Sequence, residues 1–101
     1  MARHALNRSK NIANVIAERL RIARAMQNPP MTQEQLSEAV ANVIGAEFYT
    51  NSVSKIESNK RSVYDYEVIA FARVLEVSSD WLLGISDEGG FTLPGNPFRS
   101  G

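Results

Sequence analysis

Apolar side chains recur every three to four residues along much of the chain, a spacing that places them on one face of an α-helix. The first such segment predicts a helix over about residues 11–27. Its apolar face consists of Ile12, Ile16, Leu20 and Ala23. Pro29 and Pro30 follow, and proline ends a helix because it lacks an amide donor and clashes with the preceding turn.

A second helix is predicted from Thr32 to about Ile44. Thr32 and Gln35 have the spacing of a capping box, in which each side chain satisfies a backbone N–H of the other residue. The apolar face of this helix consists of Leu36, Ala39, Val40 and Val43. Gly45 is typical of a helix C-terminus. It also begins a connector that runs to Tyr49, in which we expect the aromatic residues to pack down.

The third predicted helix is short and polar. Val53 and Ile56 share its buried side, and either Tyr49 or Thr50 is expected to be its N-cap. The outward residues are Asn51, Ser52, Ser54, Lys55 and Ser58. Asn59 follows at the C-terminus, where a left-handed backbone conformation is common and asparagine tolerates it.

Two further helices complete the predicted fold. Asp65 is expected to cap a fourth helix that ends at Leu75, and Ser78 a fifth. The inward residues of the fourth helix are Val68, Ile69, Ala72 and Leu75, and the apolar residues of the fifth are Trp81, Leu82, Leu83 and Ile85. No strand signal of useful length is present. The sequence therefore predicts an all-α domain over residues 11–86, with a flexible N-terminal arm (1–10) and a C-terminal tail (87–101).

The amino-acid composition argues against several classes of function. The 101 residues are 44% hydrophobic and 22% charged, which is typical of a globular domain. There is no cysteine and only one histidine, His4, so we expect no metal site, no cofactor and no catalytic site. No apolar run approaches the ~20 residues of a membrane helix. We expect a cytoplasmic protein that is not an enzyme and has no membrane partner.

The charges are unevenly distributed although the net charge is zero. Residues 1–30 carry six basic residues against one acidic residue, Glu18, whereas residues 63–101 carry a net charge of −4. This asymmetry predicts a basic face on one side of the domain and an acidic face on the other. The alternative is that these charges only form solvated helix faces.

The second and third helices with their connector have the plan of a helix-turn-helix. In such a unit the outward face of the second helix can meet base edges, where an asparagine amide pairs with adenine and a lysine donates to guanine. The free amides at the start of the other helix, at Thr32 and Gln33, can bind a phosphate.

Four motifs occur in a characteristic order. They are MTQEQL (31–36), VSKIE (53–57), KR (60–61) and ARVLEVSSDWLLG (72–84). In this order they resemble the lambda-repressor/Cro-like (XRE-type) family of helix-turn-helix DNA-binding domains, over about residues 11–85. The resemblance implies a five-helix bundle whose third helix reads the major groove, usually as a dimer on a near-palindromic operator. The chain differs from the family in an elongated connector, Val40–Tyr49, and in Asn59 and Glu76, which replace the usual glycines.

The resemblance also implies roles for individual residues. The expected base contacts are Thr50, Asn51, Ser52 and Lys55. The expected phosphate contacts are Thr32, Gln33, Asn59, Lys60 and Arg61. Arg24 and Glu57 match positions that often form an internal ion pair in such domains.

The predicted function is sequence-specific binding of double-stranded DNA by a transcriptional regulator, in particular a repressor of bacterial or phage type. A homodimer is expected through the fifth helix and the tail. The residues expected there are Trp81, Leu83, Phe91, Leu93 and Phe98. The alternative is an antitoxin-type or other partner-binding module of a toxin–antitoxin or phage regulatory system, with the apolar tail as the partner-binding arm.

Overall fold

The computed structural model describes residues 15–87, which form five α-helices and no strand. The helices are α1 (Val15–Ala25), α2 (Gln33–Ile44), α3 (Thr50–Glu57), α4 (Asp65–Leu75) and α5 (Ser79–Leu82). The all-helical class predicted from the pattern is confirmed over this range. None of the described helices has the length and apolar character needed to span a bilayer. The predicted arm and most of the predicted tail lie outside the described residues.

The helix ends follow their local signals. Thr32 and Gln35 form the predicted capping box: the Thr32 hydroxyl accepts from the Gln35 N–H at 3.0 Å, and the Gln35 side chain accepts from the Thr32 N–H at 2.9 Å. Gly45 ends α2 with φ 71°, and Asn59 follows α3 with φ 62°. Glu76 has φ 59° after α4, so it takes the left-handed conformation without being glycine.

Two helix starts refine or correct the predictions. Tyr49 is the N-cap of α3, and Thr50 is its first helical residue. The N-cap of α4 is Tyr64, so the prediction of Asp65 as the cap is wrong by one residue. The Asp65 carboxylate instead accepts from the N–H of Tyr66, the next residue in the helix. The predicted start of the first helix, at residue 11, lies outside the described residues.

The connector between α2 and α3 is residues 45–49, as the helical pattern predicted, and not the elongated stretch Val40–Tyr49 expected from comparison with the family. The stretch Val40–Tyr49 divides in two, because residues 40–44 continue α2 and only residues 45–49 link it to α3. Phe48 anchors this link: its side chain is buried and its ring packs edge-to-face against that of Phe71, with centroids 5.8 Å apart. Tyr49, by contrast, is exposed.

The core lies where α2 packs against α3 and α4, and α1 packs against α3 and α5. The largest fully buried apolar side chains are Phe71, Leu20, Leu36, Ile56, Leu75, Leu82, Val40 and Val53. Trp81 is buried within the same chain, so it does not present the surface expected for a dimer contact. Leu83 and Ile85, which follow Trp81 closely in the chain, are exposed.

Two apolar residues predicted to face the core are exposed instead. Ile69 is 51% exposed and Val43 is 42% exposed. The phase of α4 is set by Glu67, Phe71 and Leu75, which are spaced four residues apart and buried. At 100° per residue, Ile69 lies about 200° from Glu67 and points away from the core. The pattern predicted the helix correctly but the wrong face for this residue.

Candidate nucleic-acid interface

Helix α3 has one buried side and one polar, exposed side. Val53 and Ile56 are at most 1% exposed and fix the helix against the core. The exposed residues of α3 and of its C-cap are Thr50, Asn51, Ser54, Lys55 and Ser58, and the N-cap Tyr49 is exposed beside them. Between Thr50 and Ser58 no exposed side chain is large and apolar, so this face favours a polar partner.

The polar groups on this face are largely unengaged. Within residues 15–87, the side chains of Asn51, Lys55 and Lys60 make no hydrogen bond or ion pair. The Thr50 hydroxyl lies 3.2 Å from that of Ser37, the only side-chain bond of this face to another helix among the described residues. The amide of Asn51 and the ammonium of Lys55 are therefore available to an external ligand.

Ser52, the fourth predicted base contact, is less exposed than the other three. Its side chain is half-buried, on the side of α3 that faces the connector and α4. The structure thus brings Thr50, Asn51 and Lys55 together on the exposed face and places Ser52 at its margin.

The predicted ion pair between Arg24 and Glu57 is present. The Arg24 guanidinium donates to both Glu57 oxygens, at 2.7 Å each, in bidentate geometry. Arg24 also donates to the backbone carbonyl of Met31 at 2.9 Å. One side chain of α1 therefore holds both α3 and the segment that leads into α2.

A third donor to this carboxylate was not predicted. The Gln33 side-chain amide donates to Glu57 at 2.9 Å, and the Arg21 guanidinium donates to the Glu57 backbone carbonyl. The Glu57 side chain is 3% exposed, so its charge is compensated by these neighbours rather than by water. These bonds bring Gln33, a predicted phosphate contact, and the N-terminus of α2 beside α3.

The segment after α3 carries the other predicted phosphate contacts. Asn59 and Lys60 are exposed, and the Lys60 N–H donates to the Lys55 carbonyl at 2.8 Å, which closes the end of the helix. Arg61 is half-buried, and its guanidinium donates to the two Glu67 oxygens at 2.9 and 2.8 Å. Its phosphate contact stays a prediction.

The Arg61–Glu67 pair is a feature that sequence reasoning missed. Burial by itself raises the pKa of Glu67, but hydrogen bonds from Arg61 and from the Tyr64 N–H outweigh that effect and hold this pKa below its ordinary value. The bond to Glu67 likewise raises the pKa of Arg61. A sequence signal did exist, because Glu67 stands three residues after the N-cap, where a glutamate bonds back to the cap N–H.

Residues 15–87 contain no group of three acidic, histidine or cysteine side chains placed to hold a metal ion. His4 lies outside them.

The chain matches no protein-family model, and neither curated proteins nor solved structures give a match.

Proposed function

We propose that the chain is a sequence-specific regulator of transcription that binds double-stranded DNA by inserting α3 into the major groove. One observation carries this proposal: α3 exposes unengaged polar and basic side chains on one side while Val53, Ile56 and Glu57 fix its other side. The major groove admits an α-helix, and its base edges are read by such side chains.

The bases are read by Asn51 and Lys55, in the middle of the exposed face of α3. Asn51 can pair through its amide with adenine, and Lys55, one helical turn later, can donate to guanine. Thr50 and Ser52 are base-proximal, in contact with the edges that flank those bases. The fixed backbone of α3 supplies the alignment that such contacts need.

Two segments beside α3 supply the phosphate contacts. The N-terminus of α2 offers the backbone N–H of Gln33 and the positive end of the helix dipole. The Thr32 N–H is already bound to the Gln35 side chain, so a phosphate contact of Thr32 would use its side chain. Asn59, Lys60 and Arg61 follow the C-terminus of α3 and supply polar and cationic groups. These contacts position the protein on DNA without reading its sequence.

We infer that two copies bind a near-palindromic operator and that occupancy represses transcription. Leu83 and Ile85, exposed beside α5, supply apolar surface for the contact between copies. The tail residues Phe91, Leu93 and Phe98 lie outside the described residues.

Sequence selection from a random duplex library, followed by salt titration on the selected and a scrambled duplex, tests the proposal. If a dimer neutralises about six phosphates, log affinity should fall against log salt with a slope near −5. Lys60→Ala should weaken binding to both duplexes equally and reduce the slope by about one unit.

Variants of α3 test the proposed base contacts directly. Asn51→Ala or Lys55→Ala should cost about 1–3 kcal/mol on the selected duplex and relax preference at particular base pairs. Asn42→Ala, which removes an exposed asparagine from α2, is the matched control and should bind as the parent does. If the Asn51 and Lys55 variants keep full preference, α3 is not the reading helix.

A further inference from the structure

An open cavity of about 550 Å³ lies between the C-terminal part of α2, the connector and α4. Small-molecule sites in proteins are typically clefts of about 300–1,000 Å³ with apolar walls and a few polar groups. Asn51 and Lys55 do not line the cavity, whereas Ser52 and Arg61 lie at its edge with the proposed DNA-binding face.

Its walls are built from the two apolar residues that the amphipathic pattern assigned to the core. Val43 comes from α2 and Ile69 from α4, and both are substantially exposed at the cavity. Tyr66, Ile69 and Arg73 are spaced three and four residues apart, so they share one face of α4. Buried Phe48 contributes an aromatic wall beneath them.

The charged side chains that line the cavity differ in whether they already have a bonding partner. Arg61 and Glu67 bind each other in bidentate geometry. The Glu47 carboxylate accepts the hydroxyl of Tyr49. Arg73, in contrast, makes no hydrogen bond or ion pair with any residue in the range 15–87. Glu47 keeps its negative charge because the tyrosine hydroxyl is neutral, so Arg73 is the lining group that an anionic ligand would contact.

We propose that the cavity binds a small amphiphilic anion, with a flat apolar body between Val43 and Ile69 and a carboxylate on Arg73. The apolar walls lose exposed surface when the body enters, and the planar guanidinium matches a carboxylate with two parallel hydrogen bonds. This site does not depend on DNA binding by α3.

The test uses three probes of one shape and different charge: indole-3-acetate, indole-3-acetamide and tryptamine. Their titrations are followed by amide chemical shifts of the full chain. Indole-3-acetate should bind at millimolar or tighter affinity and about tenfold more tightly than the amide. The largest shifts should fall on residues 43–49 and 66–73. Equal binding of acid and amide, tighter binding of tryptamine, shifts elsewhere, or no saturation in the millimolar range would each overturn the proposal.

Variants assign the anion contact. Arg73→Gln should lower the affinity for indole-3-acetate about tenfold and leave that for the amide unchanged, because only the charge contact is lost. Lys60→Gln is the matched control, since it removes an exposed cation that does not line the cavity. If both variants weaken the acid equally, the preference reflects overall charge, and the assignment to Arg73 is wrong.

Discussion

The two buried glutamates, Glu57 and Glu67, have nearly the same surroundings but join different parts of the chain. Each is at most 3% exposed, and each accepts two bonds from one arginine and a third bond from an amide. For Glu57 the third donor is the Gln33 side chain, and its arginine is 33 residues away. For Glu67 the third donor is the Tyr64 backbone, and its arginine is six residues away.

This difference separates a tertiary cluster from a local one. The Glu57 cluster ties α1, α2 and α3 together, and it fixes the helix that we propose reads DNA. The Glu67 cluster orders the loop that enters α4. The same chemistry therefore has a long-range role in one place and a local role in the other. We expect the two clusters to respond differently when one partner is removed.

The largest effect is expected for Arg24→Met. This change leaves the Glu57 carboxylate buried without its cation and should lower the free energy of unfolding by about 3–5 kcal/mol. Urea denaturation of the variant measures the loss. Arg73→Met, at an exposed arginine without a partner in the described residues, should change stability by less than about 0.5 kcal/mol. Similar losses in the two variants would show that Arg24 in the Glu57 cluster contributes no more to stability than an exposed arginine does.

Arg61→Met should have a smaller effect, a loss of about 1–3 kcal/mol. Arg61 is more exposed than Arg24, and the Tyr64 N–H remains as a donor to Glu67 after the change. The same urea experiment compares both variants. A loss as large as that of Arg24→Met would mean that the Glu67 cluster contributes as much to the free energy of unfolding as the Glu57 cluster.

The pH dependence should report the Glu67 cluster. The folded state lowers the pKa of Glu67, so it binds this proton less readily than the unfolded chain does. The pair therefore contributes its full stability above the ordinary glutamate pKa of about 4.3, and loses it as the pH falls through the depressed folded value. Thermal melts from neutral to acidic pH should show a shallower acid-side decline for Glu67→Gln than for the parent. Parallel declines would contradict this assignment.

Within the two clusters the smallest effect is expected for Gln33→Ala, which removes one neutral donor from the Glu57 cluster. The loss should be about 1 kcal/mol, because Arg24 still compensates the carboxylate. A double-mutant cycle of Gln33→Ala with Arg24→Met should show coupling, since both side chains act on the same carboxylate. Strict additivity of the two losses would show that they act independently.

Short-range features of this fold were predictable because both partners of each contact lie within a few residues. The capping box of Thr32 and Gln35 and the left-handed Asn59 depend on backbone geometry that neighbouring residues determine. The Arg24–Glu57 pair was expected only through resemblance to a family, because nothing local indicates which cation meets Glu57. The role of α3 in reading DNA stays a prediction that the exposed Asn51 and Lys55 support.

The sequence by itself determined that the described part is helical, where most of its helices end, and which short helix carries small polar groups outward. Only the tertiary structure decided which face of α4 is buried, that Gln33 reaches Glu57, and that Val43 and Ile69 line one cavity. The physical reason is that periodicity specifies a helix but leaves its rotation to the neighbours it packs against. In α4 the buried positions of Phe71 and Glu67 determined that rotation and left Ile69 at the surface.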